Sequence, residues 1–188
     1  MPLHLADSSD VPAVIALVNL AYRGTDGGGR DWATESGYIV GDRLTEKLLA
    51  DDLARNPEAR LLLWRDDPEG ELLGCVWLEP VAEACSSSEV AQTEAGAWYL
   101  GMLTVRPDLQ ERKLGRAILE AAEAWAVAHG ARRARMTVVN IRRGLIAWYE
   151  RRGYQLTGET LAFPYDDNRF GTPTRQDLSF VVLERALV

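Results

Sequence analysis

The sequence of 188 residues predicts a mixed α/β (α+β) fold around one sheet. Three observations carry that prediction. Apolar runs of strand character alternate with runs of helical period along the chain. The run WYLGMLTV (98–105) leads into the most regular helical pattern, 113–129, and then into a second strand-like run, 135–139. Two strands joined by a helix in this way lie parallel, with a right-handed crossover. The length suits one domain, 1–188. A composition of 47% hydrophobic and 26% charged residues is that of an ordinary globular protein. It excludes a disordered chain, a fibrous repeat and a membrane-embedded protein.

The elements follow in order. LHLA near the N-terminus reads as a short strand, and the acidic and hydroxyl residues at 7–10 supply caps for a helix over 11–22, with Val14, Ile15, Leu17, Val18 and Tyr22 at helical spacing. TDGGGR (25–30) is a loop, since three consecutive glycines suit neither a helix nor a strand interior. Residues 32–41 read as irregular or helical. A second helix spans 43–55, with Leu44, Leu48, Leu49 and Leu53 on one face and Pro57 beyond its end. Strands at 60–65 and 71–79 flank DDPEG, a hairpin loop. The small and polar residues 82–95 form a surface loop, and 98–105 is a central strand. Gly130 stops the helix over 113–129, and Gly153 stops one over 142–152. Two strands close the chain, near 154–163 and 177–187.

Chemistry that depends on metal or imidazole is disfavoured. The chain has two cysteines, Cys75 and Cys85, and two histidines, His4 and His129. None has zinc-site spacing. Both histidines read as structural, His129 as part of a helix end. The N-terminus lacks a basic segment followed by an apolar core, so a cytoplasmic location is expected. No run approaches the ~18 apolar residues of a spanning helix, so no membrane partner is expected. The net charge of −7 argues against nucleic-acid binding. The distribution says more. Residues 106–152 hold 11 Arg or Lys against 5 Asp or Glu, a local +6, and the remainder holds 10 against 23, a local −13. This split suggests one site for an anionic ligand and an acidic environment, mainly in the N-terminal half, for a cationic one.

The basic segment starts where strand 98–105 turns into the long helix: Gln110, Glu111, Arg112, Lys113, Leu114, Gly115, Arg116. The first N–H groups of a helix have no intrahelical acceptor, and the helix dipole favours an anion beside them. Arg112, Lys113 and Arg116 add charged donors. These parts suit a pyrophosphate cradle. By spacing alone they serve equally well for an ordinary helix start with solvated basic residues.

The pattern Gln110-x-x-Lys113-x-Gly115, followed by Arg-Ala-Ile-Leu, resembles the acetyl-CoA signature of the GNAT family of N-acetyltransferases. A second element lies in the expected order. Asn140 follows the next strand, and Trp148-Tyr149-Glu150-Arg151-Arg152-Gly153-Tyr154 resembles the family's Tyr-Glu-x-x-Gly-Phe/Tyr ending. The resemblance covers about 98–160. It departs at Lys113, where the family has glycine; a lysine suits that place if its backbone stays in the helical region, and its ammonium could contact a phosphate.

This resemblance implies the GNAT fold, with a mostly antiparallel central sheet containing one parallel strand–helix–strand unit, and acetyl-CoA as cosubstrate without a metal. It implies a break in the strand at 101–105, where Leu103, Thr104 and Val105 would meet the pantetheine arm and the Leu103 N–H would polarise the thioester carbonyl. Residues 110–116 and Asn140 would hold the cofactor. Tyr149 would be the general acid, because a phenol remains protonated at neutral pH and can donate to a thiolate; packed beside Trp148 it also reads as a core aromatic. The base is less determined. Glu35 is the best candidate, with Glu79 and Glu94 behind it, and Trp32, Tyr38, Trp77 and Trp98 could line an acceptor pocket. The expected activity is acetyl transfer to a primary amine of a small, cationic molecule. A non-catalytic acyl-CoA-binding domain and a protein or peptide acetyltransferase are the alternatives, and a homodimer is left open.

Overall fold

The computed structural model describes residues 3–24, 34–67, 70–81, 96–167 and 169–188, with the side chains of Gln110 and Glu111 set aside. The loops expected at 25–30 and 82–95, Cys85 included, lie outside the described residues.

The chain opens with β1 (Leu3–Leu5), a 3-10 turn (Ser8–Asp10) and α1 (Val11–Arg23). The Asp7 N–H donates to Asp10 Oδ2 at 3.0 Å, and the Ser9 N–H donates to Asp7 Oδ1 at 2.7 Å. This reciprocal cap satisfies donors that the helix start leaves open. Val14, Leu17, Val18 and Ala21 then face the core. The second helix, α2 (Glu46–Arg55), starts later than the apolar spacing predicts. The cause is Asn19: its Oδ1 accepts the N–H groups of Arg43 and Leu44 at 2.7 and 2.9 Å, so these two residues lie outside the helix. Thr45 caps the helix instead, accepting from the Leu48 N–H at 3.2 Å.

Residues 39–40 differ from the irregular or helical expectation. They form β2 (Ile39–Val40), which pairs antiparallel with β8 (Thr172–Pro173). A two-residue strand has no periodicity to read, and a partner distant in the chain makes it.

The remaining strands are β3 (Arg60–Trp64), β4 (Gly74–Pro80), β5 (Ala97–Val105), β6 (Arg133–Val139), β7 (Gln155–Ala162) and β9 (Ser179–Ala186). A 3-10 turn (Pro107–Arg112) and α3 (Leu114–Ala128) connect β5 to β6, and α4 (Arg143–Glu150) connects β6 to β7. The main sheet has the order β1-β3-β4-β5-β6-β9-β7. Its neighbours are antiparallel except β5 and β6, as expected for strands joined through a helix.

Helices cover both faces. Ile118, Leu119, Ala122 and Ala126 of α3 pack with Leu62, Val76, Leu78 and Leu100 on one face. Val14, Leu17 and Val18 of α1 and Leu49 of α2 pack with Leu61, Leu63 and Trp77 on the other. The His129 ring stacks on Trp125 with centroids 3.6 Å apart and closes α3, the structural role expected of it. No helix among the described residues is long and apolar enough to cross a membrane.

Candidate active site

β5 and β6 run side by side only over 97–99, opposite 133–135. Beyond that, β5 stays with β4 and β6 follows β9, so the two central strands part. A bulge marks the parting. Thr104 and Gly101 of β5 face Cys75 and Trp77 of β4, which places one extra residue in β5. Met102 takes up that residue with φ at 50°, a left-handed conformation that a side chain disfavours. Thr104 Oγ1 donates to the Met102 carbonyl at 2.9 Å and holds the distortion. The strand break expected at 101–105 is this bulge. On the β6 side, backbone groups of 100–105 lose their ladder partners and line a cleft of about 530 Å³. That volume accommodates a small ligand.

One end of the cleft is made by the start of α3 and by α4. Lys113, Gly115, Arg116, Trp148 and Arg152 line it. The helical-region condition for a lysine here is not met: the Lys113 backbone is left-handed, with φ 61° and ψ 12°. The turn from the 3-10 segment into α3 requires a left-handed residue, which glycine adopts without strain and lysine only at a cost. Arg116 and Ala117 N–H groups both donate to the Lys113 carbonyl at 3.1 Å, while the N–H groups of Leu114 and Gly115 precede the first intrahelical acceptor. A Cβ on Gly115 would lie 3.5 Å from Val105 and 3.7 Å from Trp148, so a methyl fits there and a larger group meets that wall. The Arg152 guanidinium lies 3.4 Å from the Trp148 ring centroid, and its buried Nε has no partner among the described residues. An orphaned buried donor beside a basic helix start fits a phosphate-bearing ligand. Arg112 and Leu114 are not in the cleft lining, and the side chains of Gln110 and Glu111 lie outside the described residues.

Tyr149 lies on α4 at the parting of the strands, 7% exposed, and lines the cleft. Trp148 meets its ring edge-on at 4.9 Å, and Tyr154 does so at 5.6 Å. It is therefore both a packed aromatic and a cleft residue. Burial pushes its phenol well above the ordinary value, with Tyr22 adding to the rise, so the hydroxyl stays protonated. The hydroxyl makes no hydrogen bond among the described residues.

The other end is made by α1, the segment around 35–43, the turn after β6 and the segment before β8. Glu35 lines it at 5% exposure. Arg23 Nη1 donates to Glu35 Oε2 at 2.8 Å, and Arg142 Nη1 donates to Oε1 at 3.4 Å. Each carboxylate oxygen thus accepts from a guanidinium. Arg43, Arg142 and Arg169 line this end as well, with Glu35 and Asp167 as the acidic residues there. Its charge is the reverse of the acidic acceptor wall expected from the overall split. That split counted surface carboxylates, whereas the lining draws Arg43 and Arg169 out of the acidic remainder of the chain.

Several candidates lie elsewhere. Glu79, Trp77, Trp98 and Tyr38 are not in the cleft lining, and Trp32 and Glu94 are outside the described residues. Asn140 joins β6 to β9: its Nδ2 donates to the Asp177 carbonyl at 3.0 Å and its Oδ1 accepts from the Ser179 N–H at 3.2 Å. Residues missed by sequence reasoning are Tyr22, Arg43, Tyr99, Arg142 and Phe170. Only Arg142 had a signal, as part of the basic segment. Among the described residues, no group of three or more His, Cys, Asp or Glu could hold a metal ion.

The model of the acetyltransferase (GNAT) family matches residues 29–154. The chain belongs to the GNAT acetyltransferase family. It is thus an acyltransferase domain of a family that uses acetyl-CoA. Solved structures agree in fold. A protein from Streptococcus mutans UA159 superposes with a TM-score of 0.67 at 13% identity, over 100% of both chains. An N-acetyltransferase from Staphylococcus aureus Mu50 gives 0.64 at 14% identity, over 99% of this chain and 98% of that one. The yncA protein of Salmonella typhimurium, solved with acetyl-CoA as its cofactor, gives 0.61 at 16% identity, over 99% and 93%. No curated sequence matches the chain. The mostly antiparallel seven-stranded sheet with one parallel pair is the GNAT architecture that the motifs implied.

Proposed function

We propose that this GNAT protein transfers the acetyl group of acetyl-CoA to the primary amine of a small molecule by direct attack, with Tyr149 as general acid. The observation that carries this reading is a buried, protonated phenol lining the cleft where β5 and β6 part. Residues 113–116 and Arg152 offer the phosphates N–H groups, an ammonium and guanidinium donors. Acetyl-CoA supplies an acyl group activated as a thioester. The unpaired backbone of the β5 bulge, with the Leu103 N–H, faces the thioester carbonyl and Thr104 and Val105 border the pantetheine arm. The amine nitrogen bonds to the acetyl carbon and the C–S bond breaks. The Tyr149 hydroxyl gives its proton to the departing thiolate sulfur, and the proton lost by the amine passes through water and restores the phenol.

Glu35 serves in this scheme as a positioning residue that holds Arg23 and Arg142, in place of the base role its position in the sequence suggested. Asn140 holds the strand ends and leaves cofactor binding to 113–116. The main sheet runs from Leu3 to Ala186, which supports reading 1–188 as one acetyltransferase domain. The basic lining does not favour a polycationic acceptor.

The test is an assay of free thiol release from acetyl-CoA over a panel of amines, polyamines, amino acids and peptides. Release above the blank with at least one small primary amine is expected. Binding of acetyl-CoA by calorimetry with no release for any acceptor would identify a non-catalytic acyl-CoA-binding domain instead.

A further inference from the structure

We propose that the acceptor carries, besides its amine, an oxyanion such as a carboxylate, and that Arg43 is the residue that receives it, with Arg142 beside it. The inference rests on the acetyl-transfer reading above and names the class of its acceptor.

Positive charge gathers at the far end of the cleft. Three guanidiniums meet there: Arg23, Arg43 and Arg142. Arg23 and Arg142 share the single carboxylate of Glu35. Arg23 is otherwise consumed by structure, donating through Nε to the Gly41 carbonyl at 2.6 Å and through Nη2 to the Phe170 carbonyl at 2.5 Å. Arg43 has no acidic partner among the described residues. Its guanidinium lies 4.6 Å from the Phe170 ring centroid and 5.2 Å from the Tyr22 ring centroid. Arg142 approaches the same Tyr22 ring at 5.7 Å. Arg43 therefore adds a positive charge that no described carboxylate pairs with, in a cleft whose surroundings weaken solvent screening.

The other described carboxylates at this end are engaged away from Arg43. Arg169 pairs with Asp52, so this couple is neutral. Asp167 is exposed, and its Oδ1 accepts the Arg169 N–H at 3.0 Å. Cation–π contacts with Tyr22 and Phe170 orient the Arg43 plane without neutralising it, and leave its N–H fork available to a ligand.

Arg43 is also preorganised from the backbone side. Asn19 Oδ1 accepts its N–H at 2.7 Å and that of Leu44 at 2.9 Å, while Asn19 Nδ2 donates to the Leu44 carbonyl at 2.8 Å. This clamp draws residues 43 and 44 off the start of α2 and sets Arg43 in the cleft lining. A guanidinium fixed at its backbone, stacked by two rings and without a carboxylate is built for a planar anion, which it binds through two parallel N–H donors. The phosphates of the donor are claimed by Lys113, Gly115, Arg116 and Arg152, which α3 and α4 supply at the opposite end.

The experiment measures thiol release with amino acids, with their carboxamides, which keep the amine and lose the charge, and with aminoalkylphosphonates, which keep an oxyanion of another shape. Polyamines complete the panel. With wild-type protein, kcat/KM for the best amino acid or aminophosphonate should exceed that of its uncharged counterpart by about 10- to 100-fold, the effect of one charge-assisted pair. The two oxyanion arms show which anion fits. In Arg43→Gln the ratio should collapse towards one through a rise in acceptor KM, with acetyl-CoA affinity as in the wild type. Arg43→Lys, which keeps charge without the fork, should recover part of it. Carboxamides or polyamines turned over as well as the oxyanions would overturn this inference and leave acetyl transfer standing. An unchanged ratio in Arg43→Gln protein with wild-type melting behaviour would also overturn it. Release with no amine at all would overturn the acetyl-transfer reading first, and this inference with it.

Discussion

Lys113, Gly115 and Arg116 come from one short stretch, while Glu35 and Arg43, Arg142, and Phe170 come from three distant parts of the chain. The first group lines one end of the cleft and the second lines the other. At the α3 end the geometry is local: a left-handed residue, a helix start and the carbonyl of Lys113 set where the N–H groups point. At the other end the geometry is tertiary, held by Glu35 between two arginines and by the Asn19 clamp. A cosubstrate shared by many proteins can be met by a local motif. An acceptor particular to one protein is met by side chains that only the folded chain assembles.

The comparison predicts that changes at the tertiary end cost global stability and that changes at the local end do not. Glu35→Ala is the largest expected effect. It leaves Arg23 and Arg142 side by side in a mostly buried place, and removal of one partner from such a cluster costs about 3 kcal/mol or more. Urea unfolding should show a clear fall in midpoint; a loss under ~1 kcal/mol would mean that the arginines find water or another acceptor without strain.

Gly74→Ala tests the scaffold between the two ends. A Cβ there would sit 2.3 Å from Ile118 Cδ1 and 2.7 Å from the Thr104 carbonyl oxygen. Forcing α3 and β5 away should cost about 1–3 kcal/mol. Since α3 carries Lys113 to Arg116, acetyl-CoA affinity should fall as well, read by calorimetry. Wild-type stability would show that α3 is not seated against β4 as described.

Lys113→Gly is the smallest effect and has the opposite sign. Glycine relieves the left-handed backbone, so stability should rise by about 1 kcal/mol. The ammonium is lost too, so acetyl-CoA binding should depend less steeply on salt than in the wild type. A lower melting temperature would show that the lysine side chain contributes more than its backbone costs.

These two ends also mark what could be read from residues alone. The α3 helix, the parallel pair and Tyr149 were legible because periodicity and a contiguous motif carry them. The path at Lys113 was not legible, since a lysine gives no sign of a left-handed backbone that the preceding 3-10 turn imposes. β2 was missed because two residues have no period. Glu35 was picked out as a carboxylate near the acceptor, but its partners are Arg23 and Arg142, and that pairing exists only after folding. Arg43 belonged to a region of net negative charge, and Asn19, which displaces it from α2, lies a helix away in the chain.

The central claim is that the phenol at the parting of β5 and β6 gives a proton to the leaving thiolate. Tyr149→Phe removes only the hydroxyl and keeps the ring between Trp148 and Tyr154. Steady-state thiol release on the best acceptor, beside a calorimetric titration of acetyl-CoA, separates chemistry from binding. The account predicts kcat lowered by about 10²–10⁴ with cofactor affinity unchanged. A kcat near that of the wild type would contradict it.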